Sequence, residues 1–217
     1  MSKYERKYLM ETLYSGIISD VLDGMGHRNQ SIGRGIIPLE DDTVIFGPAF
    51  TSIATEVYSM PESPLTAQCK VVDQLSEGEI YVLVTRGNYN CAVFGELFAT
   101  AVTKKKGAGV LLDVYARDMK ALKKMKFPLF YMGCDPRTSK GRMEINECQI
   151  PVLFQGVTIN PGDIIFGDID GVVIIPKDIE EEVIERALET IKKEDEVRQG
   201  LNDGDTLESV YRRVGAI

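Results

Sequence analysis

Pro161-Gly162-Asp163-Ile164-Ile165-Phe166-Gly167-Asp168-Ile169-Asp170-Gly171-Val172-Val173-Ile174-Ile175-Pro176 holds two apolar, β-branched runs separated by a turn built from Asp and Gly. β-Branched side chains favour extended backbone and Asp-x-Asp-Gly reverses the chain, so the stretch predicts paired antiparallel strands. The pattern extends back to Gln149, with further turns at Gly156 and Asn160-Pro161-Gly162-Asp163. Downstream, Ile179, Val183, Ala187 and Ile191 recur every four residues, with Ile184 and Leu188 beside them. That spacing predicts an amphipathic helix over 178–197, whose acidic first turn suits the positive end of its dipole.

Upstream the elements alternate. Leu9, Leu13, Ile17, Val21 and Leu22 at helical spacing predict one helix over 4–23, stopped by Gly24 and Gly26. Strands follow at 44–46 and 49–55, with a break expected at Gly47-Pro48. A helix near 65–74 precedes a strand at 79–85; then come a helix at 96–106, a strand at 110–114, a short helix after Arg117 and a strand at 129–132. This order predicts a mixed α/β fold with a partly parallel sheet, forming one domain over 1–217.

Composition narrows the function. The chain has 217 residues, 44% of them hydrophobic, which suffices for a substantial core. Its net charge of -8 disfavours a polyphosphate ligand, so nucleic acid is not an expected partner. The charged opening MSKYERKYLMETLYSG lacks the apolar core of a signal peptide, and no apolar run approaches membrane-spanning length. Cys69, Cys91, Cys134 and Cys148 show no C-x-x-C spacing and read as reduced thiols of a cytoplasmic protein. The single histidine, His27, lies in a turn-like segment with no nucleophile beside it and reads as structural or as a surface residue. No G-x-G-x-x-G loop for a nucleotide cofactor is present.

Two short segments are candidates for chemistry. In Gly107-Ala108-Gly109-Val110-Leu111-Leu112-Asp113-Val114-Tyr115-Ala116-Arg117-Asp118 a strand runs into a turn, and ligand sites of α/β sheets gather at such carboxyl ends. Asp118 either caps the following helix or faces a crevice together with Arg117. Phe94-Gly95-Glu96-Leu97-Phe98 opens a helix, either as an ordinary start or as a cradle of free backbone amides for a carboxylate.

With the spacing from Glu96 to Arg117, the segment 162–176, Ile18-Ser19-Asp20-Val21-Leu22-Asp23 and Phe46-Gly47-Pro48-Ala49, the chain resembles one family along most of its length. The family joins class II 4-hydroxy-4-methyl-2-oxoglutarate aldolases with the RraA-like regulators of ribonuclease E activity. The resemblance implies a swivelling β/β/α domain assembled as a homotrimer or hexamer. It also implies that the amides of Gly95, Glu96, Leu97 and Phe98 hold a substrate carboxylate, and that Arg117 contacts the 2-oxo oxygen. Asp118 would hold Mg²⁺ or Mn²⁺ with water completing the shell, and Glu96 would lie near those waters. Acids from a neighbouring subunit are expected, with Asp20 and the Glu194-Asp195-Glu196 run as matches.

The implied activity is a metal-dependent lyase acting on a pyruvate-type 2-oxo acid. Retro-aldol cleavage of a 4-hydroxy-2-oxo acid and decarboxylation of oxaloacetate both leave pyruvate enolate, whose charge a metal and a fixed guanidinium stabilise. The alternative is a non-catalytic regulator that binds and inhibits a ribonuclease. The sequence departs from the aldolases at Ala121 and Lys120, where acids are frequent, and at Arg86-Gly87-Asn88-Tyr89-Asn90-Cys91. Tyr89, Asn90 and Tyr115 are candidates for lining the part of the pocket that selects the substrate, with a place in the core as the alternative for Tyr115.

Overall fold

Segment 161–176 folds as the sequence pattern requires. Ile164–Asp168 and Gly171–Ile175 pair antiparallel with Ile165 opposite Ile174 and Phe166 opposite Val173. The computed structural model describes residues 4–33, 35–87 and 90–215. In chain order its elements begin with helices α1 (Arg6–Thr12) and α2 (Ser15–Gly24), and strands β1 (Ser31–Ile32), β2 (Ile37–Pro38) and β3 (Ile45–Glu56). There follow α3 (Thr66–Val72), β4 (Ile80–Val84), β5 (Ala92–Phe94), α4 (Glu96–Lys104), β6 (Gly109–Leu112), β7 (Tyr115–Ala116) and α5 (Met119–Met125). The remainder comprises β8 (Leu129–Tyr131), β9 (Gly133–Cys134), β10 (Met143–Cys148), β11 (Val152–Phe154), β12 (Val157–Ile159), β13 (Ile164–Asp168), β14 (Gly171–Ile175), α6 (Glu180–Asn202) and α7 (Leu207–Val214).

The main sheet runs β1-β14-β13-β3-β4-β6-β8-β2, with β10 also on β3. β3, β4, β6 and β8 are parallel, whereas β13, β14 and β10 join antiparallel, so the sheet is mixed as expected. A small parallel sheet, β5-β7-β9, and the hairpin β11-β12 complete the β structure. Every residue of β4 is buried: Tyr81 and Leu83 enter the core beneath α3, α4 and α5, while Ile80, Val82 and Val84 pack towards Phe154 of the hairpin. Burial on both faces is why this strand reads as a continuous apolar run. A third core joins α1, α2 and α6 to Phe46, Phe166 and Val173.

Three local expectations need correction. The N-terminal helix is two helices: Leu13 and Tyr14 are extended, and a second helix starts at Ser15. The break lets the buried Asp168 carboxylate accept from Ser15 N at 2.7 Å and Ser15 Oγ at 2.7 Å, so a distant hairpin side chain serves the amide at the start of α2. Secondly, Gly47-Pro48 does not interrupt β3. Pro48, which has no N–H, falls where the partner changes from β13 to β4, and a side chain at Gly47 would collide with Gly78 O at 2.4 Å. Thirdly, β10 and α7 were not anticipated. Met143-Glu144-Ile145-Asn146-Glu147-Cys148 mixes charge into an edge strand, and a helix as short as α7 gives little periodicity to read.

The motif Asp168-x-Asp170-Gly171 is scaffold. Asp168 also accepts from Asp170 N at 3.0 Å, which closes the hairpin turn, and a Cβ at Gly171 would lie 2.8 Å from Ile32 O of β1. Asp163 likewise accepts from Asn160 N and Lys177 N, fixing the turn into β13 to the chain leaving β14. Asp168→Ala strands the buried Ser15 donors and is expected to cost about 2–4 kcal/mol. In urea unfolding this appears as a lowered midpoint with an unchanged slope.

Candidate active site

The site forms where the small sheet delivers two turns to one place. β5 ends at Phe94 and α4 begins at Glu96, while β7 ends at Ala116 and α5 begins at Met119. β5 and β7 are parallel neighbours, and Arg117 N donates to Phe94 O at 2.9 Å, so Gly95 and Asp118 meet side by side. A Cβ at Gly95 would stand 2.4 Å from Asp118 Oδ2 and 3.2 Å from Arg117 Cγ. Only glycine admits this approach.

Asp118 occupies the residue before α5 but makes no side-chain cap to that helix. Its backbone is left-handed, with φ 63°, an unfavourable conformation that Asp tolerates better than most residues. That conformation goes with a carboxylate directed at the other helix: Oδ2 accepts from Glu96 N at 3.2 Å and lies 3.7 Å from Arg117 Nε. The capping role considered from sequence is therefore replaced by a bridge between the two turns. Leu97 and Phe98 lie in the first turn of α4, where amides have no intrahelical carbonyl to bond.

Gly95, Leu97, Phe98, Arg117 and Asp118 line one cleft of about 140 Å³. Glu96 contributes its amide, but its carboxylate accepts from Thr100 Oγ1 at 2.9 Å and lines a separate open groove with Ala121 and Lys124. The cleft is also lined by Leu65 and by Thr138, Ser139 and Lys140, none of which the sequence placed at the site. The turn-forming run Asp135-Pro136-Arg137-Thr138-Ser139-Lys140-Gly141, dense in donors, was the available signal. Asn90 instead donates to Glu56 at 3.1 Å, Tyr115 lies against Gly133, and neither lines the cleft. Tyr89 lies outside the described residues.

The remaining acids sit elsewhere in the chain. Asp20 on α2 and Glu194 on α6 both face Tyr14, whose hydroxyl donates to Glu194. Burial and the Glu194 contact push that phenol up to about 12, so it stays protonated. Glu196 is exposed and two residues along the helix from Glu194, which turns it to a nearly opposite face. Neither Asp20, Glu194 nor Glu196 lines the Arg117–Asp118 cleft of its own chain. His27 donates its backbone N–H to Leu22 O at 2.8 Å and is also outside the cleft.

Among the described residues no three His, Cys, Asp or Glu side chains converge as a ready-made metal cage. Among the described residues Asp118 is the one carboxylate that lines the cleft, and it is half-exposed. One oxygen donor with room for water suits a hard cation such as Mg²⁺ or Mn²⁺ and is unsuited to zinc.

Asp113, directly after β6, is buried. It accepts from Thr85 N at 2.7 Å and Thr85 Oγ1 at 2.9 Å, tying the ends of β4 and β6 together. Burial raises its carboxyl to about 6 although the Thr85 bonds pull the other way.

A mixed sheet with a carboxylate–guanidinium pair set against a glycine helix start defines the class. The RraA-like family model, Aldolase/RraA, matches residues 16–174, and the chain belongs to that family. It is 32% identical over 202 residues to the "Putative 4-hydroxy-4-methyl-2-oxoglutarate aldolase" of Halalkalibacterium halodurans, covering 92% of this chain and 90% of that protein. Protein DlpA of Legionella pneumophila is 30% identical over 197 residues, which span 89% of this chain and 31% of that longer protein. Among solved structures, Streptomyces coelicolor RraAS2, described as an unusual member of the RNase ES inhibitor RraA protein family, superposes with a TM-score of 0.77. It is 24% identical, with 91% of this chain and 99% of that chain covered, a likeness of fold. Among the described residues no helix is long and apolar enough to cross a membrane.

Asp113 supplies a pH test. A carboxyl raised in the fold binds more protons folded than unfolded, so its contribution turns unfavourable as pH climbs from about 4 through about 6. Asp113→Asn is therefore expected to gain on the order of 3 kcal/mol relative to the parent between pH 4 and pH 7.5. Urea unfolding at the two pH values measures the difference.

Proposed function

We propose that the chain is a carbon–carbon lyase acting on a pyruvate-type 2-oxo acid. The reaction is retro-aldol cleavage of a 4-hydroxy-2-oxo acid resembling 4-hydroxy-4-methyl-2-oxoglutarate, decarboxylation of oxaloacetate, or both. The observation that carries this reading is the contact of Gly95 with Asp118, which sets a carboxylate, a guanidinium and free helix amides in one cleft. The aldolase name of the Halalkalibacterium relative supports the same reaction. A ribonuclease-docking role gives no use to a carboxylate inserted where a β-carbon cannot fit.

In this proposal the amides of Leu97 and Phe98 receive the substrate carboxylate. The Arg117 guanidinium faces the 2-oxo oxygen. As the C3–C4 bond breaks and the 4-hydroxyl loses its proton, electrons pass to that oxygen and the cationic side chain stabilises the resulting enolate. Asp118 would hold the divalent cation, which when bound supplies Lewis-acid charge at the same oxygen. Glu96 is turned to the outer groove by Thr100, so the proton acceptor is assigned to a neighbouring subunit's acid. Asp20 and Glu194 share one surface through Tyr14 and are the pair assigned to that role, which requires an oligomer.

A coupled assay for pyruvate, run on oxaloacetate and on 4-hydroxy-4-methyl-2-oxoglutarate with and without Mg²⁺, tests the reading. Metal-dependent release is expected, and its absence on both substrates sinks the proposal. Asp118→Ala is expected to lower kcat at least about 100-fold. Gly95→Ala should lower kcat comparably by displacing that carboxylate, while thermal unfolding changes little because the site is half-exposed. A monomer by light scattering at assay concentration would remove the neighbouring-subunit acids.

A further inference from the structure

Asp113 joins the two chain segments that feed the site. The segment after Asp113 runs through β7 to Arg117 and Asp118, and the segment after its partner Thr85 leads to β5 and Gly95. The parallel pairing of β4 with β6 stops at Leu83 and Leu112, and the Asp113 bonds begin there. Its backbone N–H donates to Leu83 O at 3.2 Å. Its carboxylate accepts from Thr85 N at 2.7 Å, from Thr85 Oγ1 at 2.9 Å and from the Arg86 amide. Consecutive amides that converge on one carboxylate suit an anion.

The turn held in this way is not one the chain adopts readily. Arg86 is left-handed at φ 55°, unfavourable for a residue with a β-carbon, and Gly87 follows at φ 85°. The carboxylate that holds it is itself costly. Burial raises Asp113 to about 6 against the pull of its hydrogen bonds, so at neutral pH the fold carries a buried charge. A carboxamide of the same size would remove that charge. Ionisation kept at such a cost, on the segments that deliver the site residues, points to a functional demand.

We propose that Asp113 is a positioning residue: by tying the exit of β4 to the exit of β6, it sets how closely Gly95 approaches Asp118. Its consequence for catalysis rests on the lyase reading above. That approach has little slack, since Asp118 Oδ2 lies 2.4 Å from where a Gly95 β-carbon would stand and 3.2 Å from Glu96 N. A small shift between the two turns therefore changes where the Asp118 carboxylate and the Arg117 guanidinium point. Asp113 does not line the cleft and acts through the backbone alone. Misplacing reacting groups lowers turnover more than it weakens substrate binding.

Hydrogen–deuterium exchange and steady-state kinetics of the full chain at pH 7.5 in Mg²⁺, comparing the parent with Asp113→Asn and Thr85→Val, test the proposal. Asn offers an N–H₂ group in place of one oxygen, so three donors compete for the other. Thr85→Val deletes one donor and keeps the β-branched shape. Peptides covering 92–98 and 115–119 are expected to exchange about tenfold faster in Asp113→Asn, and less so in Thr85→Val, while α6 keeps its protection. In Asp113→Asn, kcat for pyruvate release should fall roughly tenfold with KM nearly unchanged. Exchange that is unaltered at both turns, or faster throughout the chain with α6 included, overturns the proposal. A parental kcat in Asp113→Asn, or a raised KM with kcat held, does so too. If Asp113→Asn does not fold, Thr85→Val decides by the same criteria. A parent that releases no pyruvate ends the lyase reading alone, and exchange at the two turns then decides the positioning role.

Discussion

The long strand β3 constrains everything around it. Its first residues pair antiparallel with β13, its middle pairs parallel with β4, and its end pairs antiparallel with β10. One segment therefore belongs at once to the helix-covered antiparallel region and to the parallel region that leads to the site. Thr51 and Ser52 are fully buried within it, and their hydroxyls donate to Ile150 O at 2.6 Å and Val82 O at 3.0 Å. Satisfying those groups fixes register, because a slip of one residue would strand both hydroxyls and invert every apolar face.

From β3 the structure divides into a rigid frame and a site suspended from it. On one side Asp168 binds the hairpin turn to the start of α2, bringing α1, α2 and α6 down on β13 and β14. On the other, parallel β4, β6 and β8 end beside the small sheet β5-β7-β9, which carries Gly95, Arg117 and the loop leading to Lys140. The most recognisable motif of the chain, Asp168-x-Asp170-Gly171, lies wholly in the frame. The Asp168 carboxylate answers backbone amides, a structural demand that sequence shares with catalytic acids and that only placement separates.

The site itself depends on an absence. Gly95 has no β-carbon, so Asp118 reaches across to the Glu96 amide instead of capping its own helix. A left-handed aspartate without its cap is a locally unfavourable arrangement, and its retention is intelligible when the carboxylate has work at the cleft. Glu96, adjacent in sequence to Gly95, faces away because helix geometry turns it onto the Thr100 side. Sequence adjacency and shared function part company there.

What the sequence determined by itself was the alternation of elements, the antiparallel character of 149–176, the two turns carrying Gly95 and Asp118, and the family they resemble. These are local properties: β-branched runs, turn residues and helical spacing express themselves within a few residues. The tertiary structure decided what depends on distant partners. The single helix foreseen over 4–23 broke at Leu13 and Tyr14, and the new helix begins where Asp168, 153 residues from Ser15, meets its first amide. Gly47-Pro48 passed through a strand because two different neighbours meet there. Asn90 and Tyr115 were drawn away from the cleft by Glu56 and Gly133, and Ser139 and Lys140 entered it through pairing with the small sheet. A cleft wall is assembled from residues remote in the chain, and their convergence is set by strand order and register, which local pattern does not encode.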